Sequence, residues 1–124
     1  MIIIDTDVLI EIFDKQSKRG NHAIKKLEKT GEDIAITSIT LHEILYSHYK
    51  YNKKIKDILQ LNTIEFNKKD AETSAKIECN LEKKGKTIPR TDTMIAAITI
   101  NQKAKIYTFN QKHFQNIKQL KLFN

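Results

Sequence analysis

The chain opens with an apolar run, Met1-Ile2-Ile3-Ile4, that an acid, Asp5, ends at once, and Thr6, Asp7 and the apolar Val8-Leu9-Ile10 follow. An apolar run this short, closed by polar residues and followed by a helical pattern, reads as a buried strand feeding a helix. The rest of the chain repeats that alternation. Further strands are expected at 34–37, 63–66, 106–109 and 120–123. Helices are expected over 7–13, about 21–29 with Gly31 as a stop, 40–49, 53–61, 70–84 with Asp70 as its cap and Gly85 just past the end, and 93–103. The last is apolar nearly all round and should be the most buried, while Ala71, Ser74 and Ala75 should let the helix before it pack closely. Strands alternating with helices imply an α/β fold: one domain over residues 1–124, three layers α/β/α, with a central parallel sheet of four to five strands. In such sheets ligands gather at the carboxyl ends of the strands.

Asp5, Glu43 and Asp92 each stand where one of these apolar elements starts or stops. Each has a structural explanation. Asp5, Thr6 or Asp7 can cap the first helix, Thr40 and Glu43 match the S/T-x-x-E capping box, and Asp92 can serve the dipole at the start of its helix. Together, a strand end and two helix starts can converge on one crevice, and several carboxylates there call for a positive partner. A divalent ion is the simplest.

Other chemistries find less support. Asp5-Thr6-Asp7-Val8 echoes the opening of haloacid-dehalogenase phosphatases, but Leu9 stands where that motif wants Thr or Val. Gly85-Lys86-Thr87 ends like a P-loop, yet Asn80 occupies the place of its first glycine. Metal-free cleavage of RNA would need groups such as paired histidines, and His22, His42, His48 and His113 show no evident pairing, so each reads as a surface or cap residue. The single cysteine, Cys79, excludes an intramolecular disulfide and reads as a core filler in a reducing compartment. No signal peptide is expected, the run 94–100 is too short to span a membrane, and a cytoplasmic location follows. The net charge of +7, from 22 basic and 15 acidic residues, fits a polyanionic partner such as nucleic acid, and equally serves solubility.

The order and spacing of four motifs resemble those of the PIN-domain ribonucleases. Ile2-Ile3-Ile4-Asp5-Thr6-Asp7-Val8-Leu9-Ile10 looks like their opening, Thr37-Ser38-Ile39-Thr40-Leu41-His42-Glu43-Ile44 their second motif, 88–97 with Asp92 their third, and 106–114 their fourth. The size is most similar to the VapC-type toxins of toxin–antitoxin pairs. The resemblance implies a metal-dependent endoribonuclease, using Mg2+ or Mn2+, that leaves 5′-phosphate and 3′-hydroxyl ends. Asp5 and Asp92 would be the principal ligands, Glu43 would bind directly or through water, and Thr6 and Thr108 would bond the carboxylates or the phosphate. Where many relatives carry a fourth acid, this chain has Asn110, which can orient a water but adds no charge. The implied partners are an RNA substrate and a small antitoxin seated in an apolar groove, with Tyr46, Tyr49 and Tyr51 as exposed contacts, and a homodimer is compatible. Two alternatives stay open: a PIN-type RNA-processing nuclease without an antitoxin, and a basic, non-catalytic nucleic-acid-binding module whose acids are only caps.

Overall fold

A computed structural model describes residues 1–124. Its five strands are β1 (Ile2–Ile4), β2 (Ile34–Thr37), β3 (Thr63–Ile64), β4 (Lys105–Tyr107) and β5 (Lys121–Leu122). They form one sheet in the order β3-β2-β1-β4-β5, and every neighbouring pair is parallel. The helices are α1 (Thr6–Phe13), α2 (Lys18–Glu28), α3 (Ser38–Lys50), α4 (Lys56–Leu59), α5 (Lys68–Lys83), α6 (Arg90–Asn101) and α7 (Gln111–Phe114).

The isoleucine run explains the layering. Side chains of a strand alternate between the two faces of its sheet. Ile2 and Ile4 accordingly pack with Val8, Leu9, Ala23 and Ile44 from α1, α2 and α3, whereas Ile3 packs with Ala35, Ile98 and Ala104. A further cluster joins Ile106 of β4 to Ile77, Leu81, Ile95 and Ala96 of α5 and α6. The result is the expected α/β/α sandwich around a parallel sheet, with α6 carrying the longest run of buried residues, Ile95 to Thr99. No helix is long and apolar enough to cross a membrane.

Several local expectations shift, each for a capping or packing reason. Helix α2 starts three residues earlier than the pattern suggested, because Ser17 Oγ accepts the Gly20 N–H (3.0 Å). Helix α5 starts at Lys68, where Asn67 and Asp70 form a reciprocal capping box; Asp70 is thus the fourth member of the box, not the cap. The stretch 53–61 yields only the four-residue α4, which has no side-chain cap and follows a left-handed Asn52 (φ 54°). Ala71 and Ala75 face solvent, and α5 meets α6 through the buried Ser74 hydroxyl, 3.0 Å from that of Thr93. Cys79 is exposed, so it does not fill the core. His48 is buried: Nδ1 donates to the Lys54 carbonyl (2.9 Å) and Nε2 pairs with Asp14, tying α3 to the end of α1. Helices α1 and α2 touch so closely at Gly20 that a Cβ there would lie 2.3 Å from the Glu11 carbonyl oxygen.

Candidate active site

Strands β1 and β4 are adjacent, but the chain leaves β1 toward β2 and leaves β4 toward β5. Their carboxyl ends therefore flank the crevice where the direction of winding reverses, the usual ligand site of an open parallel sheet. Asp5 is the residue after β1 and Thr108 the residue after β4.

Asp5 is buried and doubly bonded. Its Oδ1 accepts the Thr6 N–H (2.8 Å), capping α1, and its Oδ2 accepts the Thr108 hydroxyl (2.8 Å). Thr108 Oγ1 in turn accepts the Asn110 N–H (3.0 Å), so one hydroxyl fixes both the acid and the turn that follows β4. Asp7 enters from the first turn of α1. Its Oδ2 accepts the Phe109 N–H (3.1 Å) and lies 3.4 Å from Thr108 Oγ1, while its Oδ1 is buried with no hydrogen-bond partner.

Glu43 reaches the same crevice from α3. Thr37 caps that helix by accepting the Thr40 N–H (3.1 Å), so Thr40 and Glu43 are released from the capping box that their spacing permits. The Thr6 hydroxyl donates to Glu43 Oε1 (2.7 Å) and lies 3.0 Å from Thr40 Oγ1. Asp92, in the first turn of α6, accepts from His113 Nδ1 (2.6 Å), and the Asn110 amide stands 3.0 Å from the same ring.

The electrostatics follow from this crowding. Burial, then the negative charge of Asp7, push the Asp5 carboxyl up to about 7; its bonds from Thr108 and Thr6 oppose the rise, and Asp92 adds to it. Burial also raises Asp7, against bonds from the Phe109 and Val8 N–H groups and the Thr108 hydroxyl, and against the charge of Arg19. No lysine or arginine forms an ion pair with Asp5, Asp7, Glu43 or Asp92. The site thus gathers acids, an unsatisfied buried carboxylate oxygen and no paired lysine or arginine, and its carboxylate oxygens suit a hard divalent ion. The side chains as placed do not bring three ligands onto one point. Glu43 is turned to Thr6 and Asp92 to His113.

All six residues singled out from the sequence, Asp5, Thr6, Glu43, Asp92, Thr108 and Asn110, belong to this network, although the Asn110 side chain lies at its exposed rim. Two members were missed. Asp7 passes for a helix cap in the sequence, and its real partner Phe109 lies 102 residues away. His113 shows no partner in the sequence, although its place three residues after Asn110, one turn along α7, is the signal that aims it back at the strand end. Arg19 of α2 closes one flank, its guanidinium 3.7 Å from the centre of the Phe109 ring.

A sequence model of the PIN domain matches residues 2–120, and the chain belongs to the PIN-domain family. Within it, the chain is 30% identical over 129 residues to "Ribonuclease VapC2" of Rickettsia felis, covering 98% of this chain and 96% of that one. It is also 30% identical to "Ribonuclease VapC1" of Methanocaldococcus jannaschii, covering 98% of this chain and 84% of the other. Among solved structures, VapBC2 from Rickettsia felis bound to a DNA fragment from their promoter superposes with a TM-score of 0.84 at 31% identity, over 100% of this chain and 98% of that one. VapBC-1 from nontypeable Haemophilus influenzae, 20% identical, shares the fold with a TM-score of 0.83 over 100% and 98% of the two chains.

Proposed function

We propose that this chain is an endoribonuclease that hydrolyses RNA phosphodiester bonds with the help of Mg2+ or Mn2+, and that it is the toxin of a type II toxin–antitoxin pair acting in the cytoplasm. The observation that carries the reading is the carboxylate cluster at the carboxyl ends of β1 and β4, in which Asp5 is buried, one Asp7 oxygen has no donor and no lysine or arginine is paired with any of the acids. Its standing beside relatives named ribonucleases supports RNA as the substrate. Similarity to the Rickettsia felis VapBC2 structure supports a small antitoxin partner.

Asp5 and Asp92 would hold the ion, with Glu43 acting directly or through water; Mg2+ commonly takes only one or two carboxylates and keeps several waters. When bound, a divalent ion acts as a Lewis acid toward the scissile phosphate and the attacking water. Thr108 keeps Asp5 Oδ2 in one orientation, Thr6 holds Glu43, and Asp7 anchors the Phe109 backbone so that Thr108 stays in place. His113 steadies Asp92 from the opposite side. Together these bonds fix the orientation of each acid around the crevice.

The test is cleavage of candidate RNAs with chelator, then with Mn2+ added back. Chelator should abolish cleavage and Mn2+ restore it, leaving 5′-phosphate ends; full activity in EDTA overturns the metal part. Co-expression with the adjacent reading frame should recover a complex and relieve a growth defect. A chain that comes alone and leaves growth unharmed overturns the toxin part and leaves the nuclease to be judged by the first assay.

A further inference from the structure

A sizeable cavity lies away from the acid cluster. It is an open cleft of about 410 Å³ on the flank of the fold, between α5, the end of α6 and the segment that joins α7 to β5. Its floor is apolar, with Ile77, Leu81, Ile100 and Ile117. Its rim carries Lys76, Lys84, Lys118, Asn80, Asn116 and Gln119, and not one of the twelve lining residues is acidic. None of the three lysines takes part in an ion pair, whereas the neighbouring acid Glu78 is engaged by Arg90.

The C-terminal half of helix α5 supplies part of this rim. Lys76, Asn80 and Lys84 follow one another at four-residue spacing, on one stripe, with the two lysines about 12 Å apart along the axis. Glu78 and Glu82 form a separate stripe that faces Arg90 beside a smaller cavity of about 230 Å³. Glu72 continues the lysine stripe one turn earlier but does not line the cleft, so the rim itself carries lysines and amides without an acid. Leu81 borders both cavities, and the smaller one is lined by Arg90 and Thr93, the neighbours of Asp92 in the first turn of α6.

We infer that this cleft is a second binding site, for the phosphodiester backbone of a single RNA strand that extends beyond the bond being cut. The inference rests on the ribonuclease reading. The lysines would neutralise successive phosphates and the three amides would donate to phosphate or ribose oxygens. The apolar floor contains no aromatic ring on which to stack a base, so the cleft binds without reading sequence. It serves to hold long substrates, and leaves the choice of cleavage point to the acid crevice.

The experiment uses the full chain carrying Asp5→Asn, so that RNA is bound but not cut, and a fluorescent oligouridylate of about 20 nucleotides read by anisotropy over a salt series. Changing Lys76, Lys84 and Lys118 to Gln together should weaken binding about tenfold near 0.1 M salt. It should also reduce the slope of log affinity on log salt by about 2, at roughly 0.7 per single-strand phosphate released. Changing Lys25, Lys29 and Lys56 to Gln, which removes the same charge elsewhere, should cost less than about twofold, and the single change Asn80→Asp should weaken binding in the same sense as the triple variant. Equal losses from the two lysine sets would mean diffuse charge, and no loss from the first set would mean the cleft is idle; either overturns the proposal. If the parent binds no RNA at any salt, the cleft proposal falls and wild-type cleavage in Mn2+ decides whether the ribonuclease reading falls with it. Melting curves of all variants exclude unfolding as the cause.

Discussion

Two buried aspartates in this protein live in opposite circumstances. Asp70, at the start of α5, accepts the Asn67 N–H at one oxygen (3.0 Å) and the Asn101 amide at the other (2.7 Å), and no second acid stands among its bonded partners. Asp5, at the end of β1, also has both oxygens bonded, yet it stands beside Asp7 and Asp92, and Asp7 keeps one oxygen with nothing to accept. The first arrangement is closed: neutral donors match a single charge, and it stabilises a helix start. The second is open, since several acids share too few donors and one carboxylate oxygen has none. Burial of an acid is therefore not what marks function here; an unbalanced neighbourhood is.

The largest expected difference between the two corners is in activity. Asp5→Asn or Asp92→Asn should lower the rate of RNA cleavage by about a thousandfold or more, roughly 4 kcal/mol of transition-state stabilisation, with a native circular dichroism spectrum. Asp70→Asn should leave the rate per folded molecule near wild type. A comparable loss of rate from Asp70→Asn would break the comparison.

Next is the response to pH without metal. The folded Asp5 carboxyl titrates near 7, against about 3.9 in an unfolded chain. Below pH 4 it is protonated in both states and its contribution is complete. Between pH 4 and 7 the unfolded chain gives up the proton and the folded one keeps it, so stability falls as pH rises, levelling above 7. The loss should amount to about 4 kcal/mol, and Asp5→Asn should remove it. The check is urea unfolding of both proteins across that range; parallel curves would show that Asp5 is not strained.

Metal should undo part of that strain. At a hundredfold excess of Mn2+ over its Kd, wild type should gain about 2.7 kcal/mol and Asp92→Asn much less. Melting curves measure this, and equal, metal-independent melting would reduce the cluster to helix caps. The smallest effect concerns the closed corner, where Asp70→Ala should cost about 2 kcal/mol whether or not metal is present, through two orphaned donors and a lost capping box.

How much of this was legible in advance depends on the range over which each cause acts. Strands β1 and β2 coincide with their sequence reading because a buried strand shows itself in consecutive residues, as Ile2-Ile3-Ile4 does. The parallel sheet and the sandwich follow from the same local alternation. Helix starts drifted where two cap residues compete: Thr37 displaces Thr40, Ser17 claims α2, and Asn67 outranks Asp70. The acids were visible because strand ends and helix starts are visible, and the four motifs added their order. What could not be read was who holds whom. The Asp7 bond to Phe109, the His113 bond to Asp92 and the burial of His48 against Asp14 are set by the meeting of distant elements, and nothing in the residues beside them announces it.

Gly20 gives the last of these meetings a mechanical sense. Because α1 and α2 are in contact there without room for a methyl group, the position works as a gauge block that fixes how far α2 stands from α1. Arg19 is the next residue, lying on Phe109, and Phe109 is fastened to Asp7. A single added carbon at Gly20 would push this lever and be felt, through an arginine and a ring, as slack at the turn after β4. The distance between two helix backbones is thereby tied, contact by contact, to the turn that carries Thr108.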